Sequence, residues 1–557
     1  MTSSNGGSLV PTFHFQHRWV ATLTIAFVLS LSVRIPGIFT LGMGLNGPGT
    51  FQPINFDEGN SCKAALGWKP YPAFVGQQIL FVASRLGHPA PLGLATTWEA
   101  ADRLQHESPS KFDVGDTQAV NYCQSRELTL IQRVYSAVAG ALSVVLVGML
   151  GLMMWPQRPQ IAWTACALLG LSSFHIGESH FATIDAVQVF YILLLTVVLA
   201  YGVVSGKRWP IIISPVFLAA ALLAKWYVFA VFAYACIVPH LRLKERWWKG
   251  LGIVVILIAA VLIAPHWREV AHTVWERRYL VWGDETGPFG TDYGHIGTWR
   301  RWIRNTTNLP IVLIMGLGLP AFVFVCQGLR RLLATREAAV LWLAQAPALV
   351  YALYMLVLGP ATYYRYYLPL LPTAALLAAY GVWESRWAQK RLFLVFFFVY
   401  PLLLTVDSEY NYFNDPRLAL RPWDQVHHQP RLLFSYYAVP PRLGAGTAVF
   451  KMGTYLSWGA PYLQRADYVI LSENWYDTAF PNELNGPIAW NPEWLIKTTP
   501  EYALAYRKIL AGTAPNLELE TEFTLHHFTP EFIVHRYFYG TFQQFIGDVK
   551  VFRVKHR

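Results

Sequence analysis

The chain has 557 residues, of which 54% are hydrophobic, 15% aromatic and 14% charged, against about 25% charged in an ordinary soluble domain. This composition excludes a disordered chain, a fibrous chain and a conventional soluble enzyme, because the apolar residues fall in long runs suited to lipid rather than water. The net charge of +11 comes mostly from short loops between those runs and reads as membrane sidedness. No basic stripe with interleaved aromatics forms a nucleic-acid groove, so nucleic acid is not expected as a partner.

A membrane span needs about 20 mostly apolar residues. In chain order, spans are expected at Trp19–Phe39, Leu128–Trp155, Ile161–Phe174, Asp185–Val204, Ile211–Ala224, Trp226–Val238, Leu251–Pro265, Leu309–Cys326, Ala338–Leu358, Tyr367–Trp383 and Leu392–Val406, about eleven in all. The pair meeting at Lys225 is short in each half and reads equally as one long kinked helix. Arg34 and Pro36, with no small-x-small site after them, argue against a cleaved signal peptide. Arg158, then Lys207 and Arg208, then Arg242, Lys244, Arg246 and Lys249, then Arg330, Arg331 and Arg336, then Arg386, Lys390 and Arg391 fall in alternate short loops. The positive-inside rule places these in the cytoplasm. The N-terminus is then inside, and segments 40–127, 266–308 and everything after residue 406 are outside, in a multi-pass protein of the cell (inner) membrane.

The expected organisation is an α-helical polytopic membrane domain over residues 1–406 and an extracytoplasmic α/β domain over 407–557. In the latter, Ala466–Leu471 reads as a buried strand, Pro500–Leu510 as a helix and Asp548–Val554 as a final strand. No internal repeat is visible, which weighs against a transporter of duplicated halves. Of the five cysteines, Cys166, Cys236 and Cys326 lie in apolar runs and read as buried small hydrophobes. Cys62 and Cys123 share the first outer segment, where an oxidising compartment permits a disulfide.

Four places carry candidate chemistry. Asp57 and Glu58, in Asn-Phe-Asp-Glu-Gly after the first span, are adjacent carboxylates near a membrane surface. They suit general-base work or a divalent cation, and Asp57 alternatively caps a helix over Glu58–Trp68. Glu178, His180 and Asp185 lie in one polar turn. They are metal-ligand types without standard zinc spacing, and Glu178 and Asp185 share a face only if the helix is continuous. Lys225 sits between two apolar runs, where a lysine either snorkels or meets an anionic lipid headgroup. Arg365, in Ala-Thr-Tyr-Tyr-Arg-Tyr-Tyr-Leu-Pro, belongs either to an aromatic interface belt or to a phosphate site. His295, in a Trp-rich outer segment, is a weaker substrate or metal candidate. A divalent metal is compatible with these carboxylates, and the residues name no cofactor.

Taken in order, the acidic pair after the first span, His-Phe-Ala-Thr-Ile-Asp185, Ala-Lys225-Trp and Arg365-Tyr-Tyr-Leu-Pro resemble the GT-C superfamily of membrane glycosyltransferases. The resemblance is to bacterial phospholipid carrier-dependent enzymes similar to protein O-mannosyltransferases and the lipid A aminoarabinose transferase. It extends into the tail at Asn414-Asp415-Pro-Arg417, Ala466-Asp-Tyr-Val-Ile-Leu and Tyr502-Ala-Leu-Ala-Tyr506. It implies a GT-C-like fold and transfer of a hexose or pentose from a polyprenyl-phosphate donor to a lipid, glycan or protein hydroxyl outside the cytoplasm, with inversion. It also implies Asp57 as catalytic base with Glu58 beside it, Lys225 and Arg365 on the donor phosphate, and Asp185 as a recurrent acid. The first outer loop is longer than the family pattern, around Leu86–Glu127. A lipid or polysaccharide transporter or flippase, a polyprenyl-linked polymerase or ligase, and a non-catalytic membrane assembly protein are the competing readings.

Overall fold

The computed structural model describes residues 17–40, 58–225 (except 70, 206 and 208), 298–335, 364–435 (except 429), 448–451, 463–476 (except 464) and 506–556 (except 540 and 542–546), with isolated residues 260, 264 and 443. The expected spans Trp226–Val238, Leu251–Pro265 and Ala338–Leu358 lie outside the described residues apart from 260 and 264.

Helix α1 (His17–Thr40) is followed by α2 (Asn60–Ala65), α3 (Phe74–Arg85), α4 (Trp98–Glu107) and α5 (Pro109–Cys123). Next come α6 (Arg126–Met154), α7 (Pro159–Gly170), α8 (Ser173–His180), α9 (Asp185–Ser205) and α10 (Trp209–Lys225). Helix α6 is the central element, packed on α1, α7, α8 and α9. It begins where the Ser125 hydroxyl accepts from Leu128 N, a cap that satisfies a donor otherwise orphaned at a helix start. After the second gap come α11 (Thr298–Leu317), α12 (Leu319–Thr335), a 3-10 turn over Tyr364–Leu370, α13 (Leu371–Trp383), α14 (Arg391–Phe413) and α15 (Leu420–Val426). Helices α12 and α13 meet backbone to backbone: a Cβ added at Gly328 would overlap the Leu377 carbonyl, and one at Gly381 the Phe324 carbonyl. Small residues permit this approach where lipid supplies no hydrophobic drive between helices.

Among the described residues, Trp19–Phe39, Arg126–Met154, Asp185–Gly202 and Arg391–Val426 are long and apolar enough to cross a membrane. Ile25, Val28 and Leu29 of α1, and Leu392, Val395 and Phe396 of α14, stay exposed. Apolar faces of this extent call for lipid, and the protein is a membrane protein.

The structure departs from the expected spans at several points. The run Leu309–Cys326 is not one span: Gly318 takes φ 86 between α11 and α12, a conformation open to glycine, and Pro320 suits the first turn of the new helix. The run Ile161–Phe174 breaks after Gly170, and the Ser172 hydroxyl caps α8 through His175 N. Residues 181–184 separate α8 from α9, so Glu178 and Asp185 do not share one continuous helix. Helix α14 continues beyond Val406 to Phe413. Cys166 is buried as expected, but Cys326 is exposed on α12; Cys236 lies outside the described residues.

The last part of the chain builds a five-stranded mixed sheet from β1 (Arg431–Phe434), β2 (Ala448–Lys451), β3 (Tyr468–Ser472), β4 (Leu517–Phe523) and β5 (Val549–Val554), in the order β2-β1-β3-β5-β4. The strands expected at Ala466–Leu471 and Asp548–Val554 are β3 and β5, and residues 506–510 of the expected helix Pro500–Leu510 are helical. Strand β3 is parallel to β1 and antiparallel to β5, with Leu433 opposite Val469 and Val469 opposite Phe552. These residues face one core with Tyr506 and Ile509, while Phe434, Ile470 and Val551 face another with Leu420 and Trp423. Burial on both faces explains why β3 reads as a continuous apolar run.

One carboxylate ties this sheet region to α14. Asp407 is fully buried and accepts from Phe528 N at 3.0 Å, Thr529 N at 2.7 Å and the Thr529 hydroxyl at 2.5 Å. His527 Nδ1 and Asn411 Nδ2 each lie 2.9 Å from its other oxygen. Thr529 immediately precedes α16 (Pro530–Tyr539).

In the first outer segment, α2–α5 close on Cys62 and Cys123, which form a disulfide with their Cα atoms 5.7 Å apart and a sequence separation of 61. Leu66, Trp68, Leu94, Ala101 and Ala119 pack around it. Thiol labelling with a maleimide reagent under denaturing conditions is expected to count two more reactive cysteines after reduction than before. Cys62→Ser with Cys123→Ser should destabilise this segment by about 2–4 kcal/mol, the usual scale for a native cross-link, read as earlier proteolysis within residues 58–125.

Candidate active site

The α9–α10 hairpin sets the first part of the site. Its helices run antiparallel across a short connection, so the first residue of α9, Asp185, and the last of α10, Lys225, come to the same end and form an ion pair. A carboxylate at a helix N-terminus and an ammonium at a helix C-terminus each complement the local helix dipole. Asp185 is buried, at 2% exposure, and Lys225 keeps a 17% opening.

The 3-10 turn packs against α9 at this end. Lys225 Nζ stands 4.3 Å from the centroid of the Tyr366 ring, and the Arg365 guanidinium carbon stands 5.8 Å from the same ring. The two cations singled out in the sequence, 140 positions apart, therefore meet at one aromatic side chain. A tyrosine ring attracts a cation through its quadrupole, and Tyr366 has both Lys225 and Arg365 within reach of its ring.

The second part is a buried clamp around Glu58. Arg133, from the interior of α6, donates from Nε to Glu58 Oε1 at 2.8 Å and from Nη2 to Oε2 at 3.1 Å. Both side chains are 1% exposed or less. Ala182 N also donates to Glu58 Oε1, at 3.0 Å. Residues 182–185 thus join the two parts: Ala182 holds Glu58, and three residues later Asp185 holds Lys225. Glu58 is occupied as an acceptor on both oxygens, which suits a positioning role better than proton abstraction. Its neighbour Asp57 lies outside the described residues.

A third polar group lies between α1, α8 and α14. Arg34 Nη2 is 2.8 Å from His175 Nδ1, and its Nη1 donates to the Ser30 carbonyl and hydroxyl at 2.7 Å. His180 is fully buried, with Nδ1 3.3 Å from Glu409 Oε2. Gly37 of α1 leaves the room for this imidazole, since a Cβ there would overlap it. Glu178 is buried on α8 two residues before His180. His180 therefore turns toward Glu409 and Asp185 toward Lys225, and among the described residues no group of three or more His, Cys, Asp or Glu is placed to hold a metal ion. His295 lies outside the described residues.

Sequence reasoning missed Arg133, Glu409 and Tyr366. Arg133 carried a usable signal, because an arginine inside an apolar span needs a partner. In the sequence Tyr366 reads as part of the aromatic belt, and Glu409 lies just beyond the last expected span.

Residues 116–273 match the family described as dolichyl-phosphate-mannose-protein mannosyltransferase (PMT). That stretch contains Arg133, Asp185 and Lys225. The chain is also similar to undecaprenyl phosphate-alpha-4-amino-4-deoxy-L-arabinose arabinosyl transferase of Pseudomonas aeruginosa (strain UCBPP-PA14), 29% identical over 179 residues, 30% of this chain and 32% of that protein. The match thus spans about a third of the relative's length. Among solved structures, ArnT from Cupriavidus metallidurans bound to undecaprenyl phosphate is similar with TM-score 0.41 and 14% identity, covering 84% of this chain and 95% of that one. The oligosaccharyltransferase AglB from Archaeoglobus fulgidus, in complex with an inhibitory peptide and a dolichol-phosphate, is similar with TM-score 0.45 and 11% identity, covering 97% and 88%. The resemblance drawn from the sequence motifs is thus met by the PMT family match and by the arabinosyl transferase relatives.

The clamp makes a direct prediction. Arg133→Met leaves the Glu58 carboxylate buried without its cation and is expected to cost about 3–5 kcal/mol, the scale for breaking a buried pair from one side. Adding Glu58→Gln should recover part of that loss. Thermal unfolding of the purified single and double variants in detergent measures both.

Proposed function

We propose that the protein is a membrane glycosyltransferase. It takes a pentose or hexose from a polyprenyl-phosphate donor and transfers it, with inversion, to a hydroxyl acceptor on the outer face of the membrane. The observation that carries this reading is the convergence of Lys225 and Arg365 on Tyr366, beside Asp185 and three residues from the backbone amide that holds Glu58. The family match and the arabinosyl transferase relatives support it.

The donor's phosphate is both its recognition handle and its leaving group. Two cations aimed at it bind the donor and stabilise the charge that develops as the bond from anomeric carbon to phosphate oxygen breaks. Arg365 offers a planar fork and Lys225 a point charge, a combination suited to a tetrahedral oxyanion. On the opposite face of the sugar, the acceptor oxygen forms the new bond to the anomeric carbon while its proton passes to Asp57 as general base. Polyprenyl phosphate departs, and in-line displacement inverts the anomeric centre. Glu58, fixed by Arg133 and Ala182, is the sequence neighbour of Asp57. The alternating basic loops favour a cytoplasmic N-terminus and an outer site. The Cys62–Cys123 disulfide suits the same oxidising side. In this reading residues 1–406 form the transferase domain and 407–557 an extracytoplasmic domain.

The test is transfer of radiolabelled sugar from a synthetic undecaprenyl-phosphate donor by the purified protein. Asp57→Asn keeps shape but takes up no proton, and turnover should fall about 10²–10⁴-fold with folding intact. Lys225→Ala and Arg365→Ala should each weaken donor use by about 1.5–3 kcal/mol, the scale of a charge-assisted hydrogen bond. Near-normal turnover of Asp57→Asn would place the base elsewhere, and unchanged donor use in both cation variants would remove the phosphate assignment.

A further inference from the structure

Helix α16 is fastened to the membrane part at three successive points. At its start, Thr529 and the residues before it are held by Asp407. Two residues on, Glu531 Oε1 accepts from the Tyr400 hydroxyl at 2.7 Å and lies 3.4 Å from Leu319 N. A further turn on, His535 Nε2 is 2.8 Å from the Tyr364 hydroxyl, with the two rings edge to face at 5.3 Å between centroids. His535 is 6% exposed and Tyr364 is completely buried. Burial, with a smaller contribution from the nearby His527, holds the His535 imidazole far below its ordinary value, at about 3. The ring is therefore neutral, and the contact is a neutral hydrogen bond that persists across the physiological range.

Tyr364 opens the 3-10 turn, and the next two residues are Arg365 and Tyr366. We propose that His535 is a positioning residue: through the Tyr364 hydroxyl, α16 fixes the 3-10 turn so that Arg365 meets the donor phosphate beside Lys225. This rests on the phosphate assignment above and adds that the sheet-bearing part of the chain sets the geometry of a site built by the membrane helices. The physical basis is local stiffness. A seven-residue 3-10 turn has weaker internal hydrogen-bond geometry than an α-helix, so its first side chain needs an outside anchor. A guanidinium on a long flexible side chain gains most from a fixed backbone beneath it.

The experiment measures binding of undecaprenyl phosphate to the full-length protein in detergent by tryptophan fluorescence. Wild type is compared with Tyr364→Phe, His535→Gln, Arg365→Ala and the Tyr364→Phe/Arg365→Ala double variant. Tyr364→Phe keeps the ring packing and removes only the hydroxyl, so it isolates the hydrogen bond from folding. It is expected to weaken binding about three- to tenfold, the range of a neutral hydrogen bond. His535→Gln, whose side-chain amide can still pair with the hydroxyl, should retain most of the affinity. The double variant should bind no more weakly than Arg365→Ala alone, because a positioning contact acts only through the group it positions, whereas independent losses add. Arg365-dependent binding that Tyr364→Phe leaves unchanged, or lowers by the same factor with and without Arg365, would overturn this inference and leave the functional reading intact. Wild type that does not bind undecaprenyl phosphate, or binding insensitive to Arg365→Ala, would overturn the functional reading and this inference with it.

Discussion

An ionised side chain in an apolar interior persists only where an opposite charge or a ring of donors meets it. The described architecture is organised around that constraint. Glu58 is met by Arg133 and Ala182, Asp185 by Lys225, and Asp407 by two backbone amides, a hydroxyl, an imidazole and a side-chain amide. Each of these acids is joined to a different element of the chain, so each pairing is also a fastening. Apolar packing between helices in lipid gives little preference for one rotation of a helix over another. A buried ion pair breaks that degeneracy, because sliding either partner strands a charge.

The same pairings explain why a site assembles at one end of the bundle. Helix ends are where unpaired backbone groups and dipole charge accumulate, so acids collect at N-termini and bases at C-termini. Asp185 and Lys225 follow this rule on adjacent antiparallel helices, and their meeting is a consequence of the hairpin. The bend between α8 and α9 leaves the helical ladder, and its Ala182 amide is used to hold Glu58. A break in the helical ladder thus joins Glu58 to the Asp185–Lys225 pair.

Much of this was legible in the sequence. The long spans α1, α6, α9 and α14, strands β3 and β5, the Cys62–Cys123 pairing, and Lys225 and Arg365 as unusual cations all follow from runs, alternation and residue type. What was not legible has a common character. Arg133 lies 75 positions from Glu58, Asp407 lies 122 from Thr529, and Tyr364 lies 171 from His535. A single sequence announces that a buried charge needs a partner but not which one. The break at Gly318 was missed for a local reason: the hydropathy of Leu309–Cys326 is uniform, and only the backbone angle reveals that the run is two helices.

Asp185 already pairs with Lys225, yet that pairing does not exhaust the lysine. An ammonium has three donors; Asp185 takes one direction and the Tyr366 ring a second, and the side chain is not fully enclosed. A lone lysine at this depth would be costly while the site was empty, and a lysine fully enclosed by carboxylates would have nothing to offer a phosphate. Pairing it on one side with a buried acid and on another with an aromatic ring keeps the charge in place, and on the proposed reading leaves it available to the donor phosphate. Preorganisation of this kind separates a cation that merely attracts an anionic lipid from one held ready for charge that develops during a reaction.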